Sequence, residues 1–380
     1  MSAAPERDPA LAGGRLTVNL DALADNWRLL RDRSSPAECA AAVKANGYGL
    51  GIGPVVQSLW DAGCKTFFVA LADEGLQVRS LLPQADIYVL NGLFTGAADD
   101  LAQADLRPVL GSVDEVYEWA AFCKKRDETL AAAVHMDTGM NRLGLSAKET
   151  DQLTRRPDLL RPFTPTLLMS HLACADDPSH PLNERQLAAF NALKTDFPDM
   201  PASLANSAGI LTRSDWYFDM VRPGIALYGG EAVAGSPNPM APVATLESRI
   251  IQVRNVAVGE TVGYGATQTL QRDSRIALLS CGYADGYHRL ASSNDPNPGA
   301  VAWLDGHIVP LVGRVSMDLI AVDVTDLPDG LATRGAWVEL FGANIAVDDV
   351  AKQAGTIGYE LLTGLGSRLS RRYITSAEAS

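Results

Sequence analysis

The sequence predicts an α/β protein: a (β/α)8 barrel followed by a mainly β C-terminal domain. Three observations predict it. Before Gly230, short apolar runs recur, each ending in a polar or glycine-rich tip and each followed by an amphipathic stretch, which is the rhythm of βα units. The runs are almost continuously apolar, as parallel strands covered on both faces must be. After Gly230 the pattern becomes apolar–polar alternation broken by Gly and Pro, the signature of half-buried antiparallel strands.

The elements follow in order. The strand-like segment 15–20 precedes the barrel rhythm and is a candidate to join the β domain. Leu23, Trp27 and Leu30 share a helical face, with Asp21 expected as its N-cap. The eight expected strands are Ala40–Lys44, Phe67–Ala72, Ile87–Asn91, Arg107–Leu110, Ala131–Asp137, Thr166–His171, Ala202–Asn206 and Met220–Leu227. Val55, Val56, Leu59 and Trp60 form a second helical face that stops at Gly63. Gly235–Pro239 reads as a linker. Alternation in Arg249–Val253, Arg275–Leu279, Val309–Val312 and Leu319–Val324 marks the β domain. The expected domains are therefore 12–235 and 240–375, with Ser376–Ser380 frayed.

Composition narrows the function. With 380 residues, 47% hydrophobic and 20% charged, the chain carries a large core. A formal charge of -13 argues against nucleic acid or an anionic membrane as partner. The five cysteines are an odd, scattered set without CxxC spacing, so reduced thiols and a cytoplasmic location are expected. No signal-like apolar stretch opens the chain and no apolar run reaches membrane length.

Lys44 is the sharpest chemical feature. It follows the apolar run Cys39–Val43 and precedes a Gly-rich turn. An amine at the end of a buried strand either snorkels to solvent or is held partly desolvated, where its pKa falls and it becomes a nucleophile. The other tips present Asp73-Glu74, Asn91, Asp137 to Arg142, His171, Asn206-Ser207 and Arg222. In a barrel these strand ends share one mouth.

With these tips in place, the chain resembles the alanine racemase family from about Leu16 to Tyr373. Six motifs in order carry the resemblance: Ala42–Gly49, Asp137–Gly144, Ser170–Asp176, Ala205–Gly209, Val221–Gly229 and Gly263–Thr267. Gly282–Gly286 and Gly313–Asp318 extend it. The resemblance implies a pyridoxal 5'-phosphate enzyme that interconverts L- and D-alanine with two bases, for cell-wall supply or alanine catabolism. It implies that Lys44 holds the cofactor and acts as one base. The cofactor-binding set would be Lys44, Tyr48, Arg142, His171, Asn206, Ser207, Arg222, Gly224, Ile225 and Tyr359. Arg222 would face the pyridine nitrogen, and a permanent cation there disfavours ring protonation. Tyr264 of the partner subunit would be the second base, supported by His171 and through it by Arg222. Arg142, with Met317 and Asp318 likewise of the partner subunit, and Tyr283 would bind substrate, with Arg289, Arg314 and Asp176 lining the access channel. The assembly implied is a head-to-tail homodimer with shared sites, and no metal.

One position departs from the family. Two residues before Asp137, where relatives often carry a carbamylated lysine, stands His135. A neutral His135 or a bound anion beside a buried Arg142 is expected there. Ser316 and Asn141 are milder departures. Two other readings stay open: a racemase of broader specificity, for serine among others, and a non-catalytic pyridoxal-phosphate-binding barrel. A decarboxylase of like architecture is disfavoured by Arg222.

Overall fold

Burial of both faces fixes the first sheet of the computed structural model, which describes residues 10–375. The expectation for Ser376–Ser380 lies outside the described residues. Seven parallel strands run in chain order: Ala41–Ala42, Thr66–Val69, Asp86–Val89, Arg107–Leu110, Ala131–His135, Thr164–Met169 and Ala202–Ser203. The sheet curls until its ends meet through Met220–Val221. On one side Asp219 N donates to Ala202 O (3.0 Å) and Arg222 N to Ala205 O (3.0 Å). On the other, Glu38 N, Ala40 N and Ala42 N donate to Asp219 O, Val221 O and Pro223 O at 2.9 to 3.0 Å. The chain thus forms the expected barrel.

Most strands are shorter than the apolar runs; Arg107–Leu110 matches its run, and Thr164–Met169 has the length of its run but lies two residues earlier. Hydrogen-bond partners end before the apolar residues do, because each tip turns inward or starts a helix. Ala72, expected in a strand, opens the helix Ala72–Leu81. The run expected from Met220 to Leu227 is strand only at Met220–Val221 and becomes a 3-10 turn at Ile225–Tyr228. Ala40–Lys44 is strand only at Ala41–Ala42.

The helices hold the barrel by their apolar faces. Leu23, Trp27 and Leu30 are buried on the helix Leu20–Ser34. Its cap is Asn19, whose Oδ1 accepts from Ala22 N at 3.0 Å; Asp21 sits inside the first turn instead, where a carboxylate suits the helix dipole. Val55, Val56 and Leu59 are buried on Ile52–Ala62, which ends at Gly63 with φ +117. Phe67, Phe68, Trp119, Phe190 and Trp216 are fully buried, each contributing about 1.5–3 kcal/mol of burial free energy.

The chain divides into two compact units. One runs through residues 23–227 and 231–240; the other takes the chain up to Ala22, residues 228–230 and the chain from Ala241 onward. The second unit is built on the strand Ala244–Val256, whose alternating burial matches a one-sided sheet. Its sheet order is His307–Pro310, Val301–Leu304, Trp337–Phe341, Ala244–Val256, Gly14–Asn19 and Ser370–Ile374. Ser274–Leu279 pairs with both Ala244–Val256 and Ile320–Asp323. Gly14–Asn19 therefore belongs to this sheet, antiparallel to Ala244–Val256 and parallel to Ser370–Ile374.

Candidate active site

The strand Ala41–Ala42 stops, and the backbone after Lys44 turns left-handed. Ala45 (φ 53), Asn46 (φ 56), Gly47 (φ 63), Tyr48 (φ 52) and Gly49 (φ 81) follow one another in that region. Gly47 N donates to Val43 O (2.9 Å) and Gly49 N to Ala45 O (2.8 Å), so this is one left-handed turn of helix. Each L-residue there costs about 1–2 kcal/mol, so the turn needs outside support. Ala45 N donates to Glu74 Oε1 at 2.6 Å, and Ile52 N to Asn46 Oδ1 at 2.9 Å. The Gly-rich turn expected after Lys44 is thus a specific, strained device. Lys44 is half-buried at its head. Burial first, and then the Arg142 cation, lower its pKa, while Glu74 opposes them.

Arg222 is the centre of a second group. It is buried and donates to Ser203 Oγ, to Ser170 O at 2.6 Å and to Leu204 O at 3.4 Å. Its Nη2 also lies 3.4 Å from His171 Nδ1. Burial pushes Arg222 down to about 9, which leaves it charged at neutral pH. Desolvation, then Arg222 and Arg142, hold His171 well below the usual histidine range. His171 is therefore neutral. A guanidinium can only donate, so Nδ1 accepts and the ring proton sits on Nε2.

The third group is a cradle. Ser207 Oγ accepts from Gly224 N (2.8 Å) and Ala226 N (3.3 Å). Asn206 Oδ1 accepts from Gly209 N at 3.0 Å, which fixes the turn before Ser207. A Cβ on Gly224 would stand 2.3 Å from Tyr48 Oη, so only glycine lets the phenol approach this backbone. Ile225, expected to contribute its N–H, is buried beside Ala226, whose N–H reaches Ser207.

Arg142 departs from expectation: it is exposed, not buried. Its loop is shaped by Asp137 Oδ1, which accepts from Gly139 N and Met140 N, both 2.9 Å, and Asn141 N at 3.2 Å. Asn141 has φ 55, a conformation that asparagine tolerates and glycine favours. His135 is buried, and desolvation with the Arg222 and Arg142 cations lowers its pKa to about 4. It is neutral at pH 7 and brings no negative charge to Arg142.

The remaining expected residues belong to the β-rich unit. Tyr264 (73% exposed), Met317 (52%), Tyr283 (42%) and Tyr359 (37%) are open to solvent. Tyr264 lines a groove of about 570 Å³ with Val256, Val262, Ile276, Leu278 and Leu319. The Tyr283 and Met317 segments are locked together: Tyr283 N donates to Ser316 O and Ala284 N to Met317 O, both at 3.0 Å. Arg368 bridges Asp318 (2.6 Å) and Asp285 (3.0 Å).

Sequence reasoning missed Gln186. It is fully buried on the helix Pro181–Asp196, and its Nε2 donates to His171 O at 2.8 Å while its Oε1 accepts from Ala173 N at 2.9 Å. An amide inside an amphipathic helix gives no sign of this until the fold is known. Ser203, which takes the Arg222 bond, was likewise hidden in an apolar run.

Comparison with known proteins gives the family. Residues 18–232 match the family described as "Alanine racemase, N-terminal domain", and residues 243–373 match "Alanine racemase, C-terminal domain". The chain is 49% identical to a protein of Agrobacterium fabrum named "Alanine racemase, biosynthetic", covering 95% of this chain and 94% of that one. It is 45% identical to another from the same organism named "Alanine racemase, catabolic", covering 96% and 92%. Among solved structures, alanine racemase from Bartonella henselae with covalently bound pyridoxal phosphate superimposes with a TM-score of 0.90 at 40% identity, covering 96% of this chain and all of that one (100%).

Proposed function

Because the chain belongs to the alanine racemase family and is a pyridoxal-phosphate isomerase of alanine, we propose that Lys44 and Tyr264 of the partner subunit are its two bases. The observation that carries this reading is the pairing of a half-buried, low-pKa Lys44 with the Arg222–His171 contact in the same barrel.

The cradle fits the cofactor. Gly224 and Tyr48 leave no room for a side chain, and Ser207, whose Oγ accepts from Gly224 N and Ala226 N, keeps its own O–H to donate to a phosphate, beside the Ile225 N–H expected there. Asn206 positions that turn, and Lys44 would supply the amine for covalent attachment. When bound, pyridoxal phosphate supplies the electron sink that acidifies the amino-acid Cα–H. Arg222 stays charged beside it and offers no acceptor for a ring-nitrogen proton.

Lys44 removes or returns a proton on one face of Cα. Its lowered pKa keeps more of the amine free as a base near neutrality. Tyr264 of the partner subunit serves the other face. A phenol titrates near ~10 and needs help to act as a base. His171 gives it: with Nδ1 committed to Arg222, the Nε2–H is the only proton it can donate, and donating it to the phenol oxygen favours the phenolate. Arg142, with Met317 and Asp318 of the partner subunit, would hold the substrate carboxylate, and Tyr283 would narrow the approach to the site.

The shared site requires a homodimer, and the exposed apolar groove around Tyr264 supports one. The free cysteines support a reducing, cytoplasmic setting. D-alanine supply to peptidoglycan is the role the biosynthetic relative supports. The test mixes Lys44→Ala and Tyr264→Ala protomers, each inactive alone. Random re-pairing puts one intact site in half of the dimers, so about a quarter of parental activity returns. No recovery places both bases within one chain.

A further inference from the structure

We propose that Glu74 is a positioning residue for Lys44: its carboxylate ties the left-handed turn after Lys44 to the tip of the neighbouring strand and so sets the direction from which the amine enters the barrel mouth. The inference rests on the reading of Lys44 as the cofactor lysine. Glu74 stands at the third position of the helix Ala72–Leu81. A glutamate there ordinarily bonds back to its own helix start, and one oxygen does so: Oε2 accepts from Ala70 N (2.8 Å) and Leu71 N (3.2 Å). The other oxygen is spent elsewhere, on Ala45 N at 2.6 Å.

The place of that bond matters. Ala41–Ala42 pairs with Phe67–Phe68, and Val43 N still donates to Phe68 O at 2.9 Å. Beyond Val43 the chain leaves the ladder, so Ala45 N has lost its strand partner. Glu74 replaces it and continues the cross-strand link past the end of the sheet, at the first of the left-handed residues. A glutamine has a single acceptor oxygen and cannot serve both the helix start and Ala45.

Charge adds to geometry. The groups acting on the Lys44 amine are Arg142, the neutral His171 and Glu74, and Glu74 is the only anion among them. Its charge favours the protonated amine.

The test compares Glu74→Gln with Glu149→Gln in the full chain. Glu149 is a matched control: it occupies the same position in the helix Ala147–Arg155, bonds to Ser146 N and reaches Val113 N at 3.1 Å, and it is not among the charges acting on Lys44. Glu74→Gln is expected to lose bound cofactor about tenfold faster on dilution of the holoenzyme, the factor that one charge-assisted hydrogen bond supplies. After cofactor removal with hydroxylamine, the pH midpoint for acylation of Lys44, read by peptide mass, is expected to move to lower pH. Glu149→Gln should change neither. Glu74→Asp keeps the charge but is too short to span both bonds; it should keep the labelling midpoint and still release cofactor faster. A Glu74→Gln protein that loses only melting temperature, or an Asp variant with parental retention, overturns the proposal. If instead Lys44→Ala retains cofactor, it is the reading of Lys44 that fails.

Discussion

The barrel mouth and the exposed rim of the β-rich unit hold different kinds of functional residue. In the barrel, Arg222, Ser203, Ser207 and Gln186 are buried and hydrogen-bonded to fixed backbone. In the β-rich unit, Tyr264, Tyr283, Met317 and Tyr359 stand in solvent. A buried cation or a strained turn persists only where surrounding structure over-determines it, so the barrel half is preorganised within one chain. An exposed phenol has no such support. The contrast teaches that folding finishes the barrel half within one chain, while the exposed half is what the proposed dimer would have to complete.

Four experiments break or sharpen that contrast. Lys44→Ala should have the largest effect, with activity down more than about a thousandfold and no retained cofactor, since nucleophile and base vanish together; residual turnover without added amine, in an assay that couples D-alanine to an oxidase, would end the assignment. Tyr264→Phe should slow racemisation by roughly a hundredfold or more, unequally for Cα–hydrogen exchange from the two enantiomers. Because the side chain is 73% exposed, unfolding should shift by less than about 0.5 kcal/mol. A large loss of stability would mean that Tyr264 is structural.

Gly224→Ala comes third. The new methyl meets Tyr48 Oη at 2.3 Å, and such overpacking costs about 1–3 kcal/mol; cofactor affinity should fall while the secondary structure stays intact by circular dichroism. Acid lability comes last, because it bears on stability and leaves turnover near neutral pH untouched. His135 ordinarily titrates at 6.5 and is lowered to about 4 here. The unfolded chain therefore binds the proton more readily. This contribution is complete above pH 6.5 and is lost as pH falls toward about 4, by at most about 3 kcal/mol. His135→Gln should flatten the stability profile across that window, measured by denaturant unfolding; an unchanged slope would assign the acid sensitivity to His171.

Much of this was legible in the chain. Apolar runs gave the strands, because parallel strands buried on both faces cannot hide their composition. The tips offered Lys44, His171 and Arg222 as chemically able residues, and the ordered motifs rather than local pattern attached roles to them, because a lysine after a buried run can equally snorkel to solvent. The left-handed turn was not legible: Ala45, Asn46 and Tyr48 have no sequence preference for positive φ strong enough to announce it, and the bond from Ala45 to Glu74 joins separate elements. Asp21 was mistaken for a cap because aspartate at a helix start serves equally well within the first turn. Arg142 was expected to be buried, yet it is exposed on a loop whose backbone is tied to Asp137.

The strand Gly14–Asn19 lies between Ala244–Val256 and Ser370–Ile374. The earliest described segment of the polypeptide is thus stitched to some of the latest. A ribosome emits the barrel's strands one after another, each able to dock on the last, but the first strand must wait unpaired until Ala244–Val256 emerges and half-paired until Ser370–Ile374 follows. Closing a loop of that span is slow, since distant pairings form late. Birth order therefore favours a finished barrel with a dangling leader, and a nonsense codon anywhere before residue 370 would strand that leader on one side.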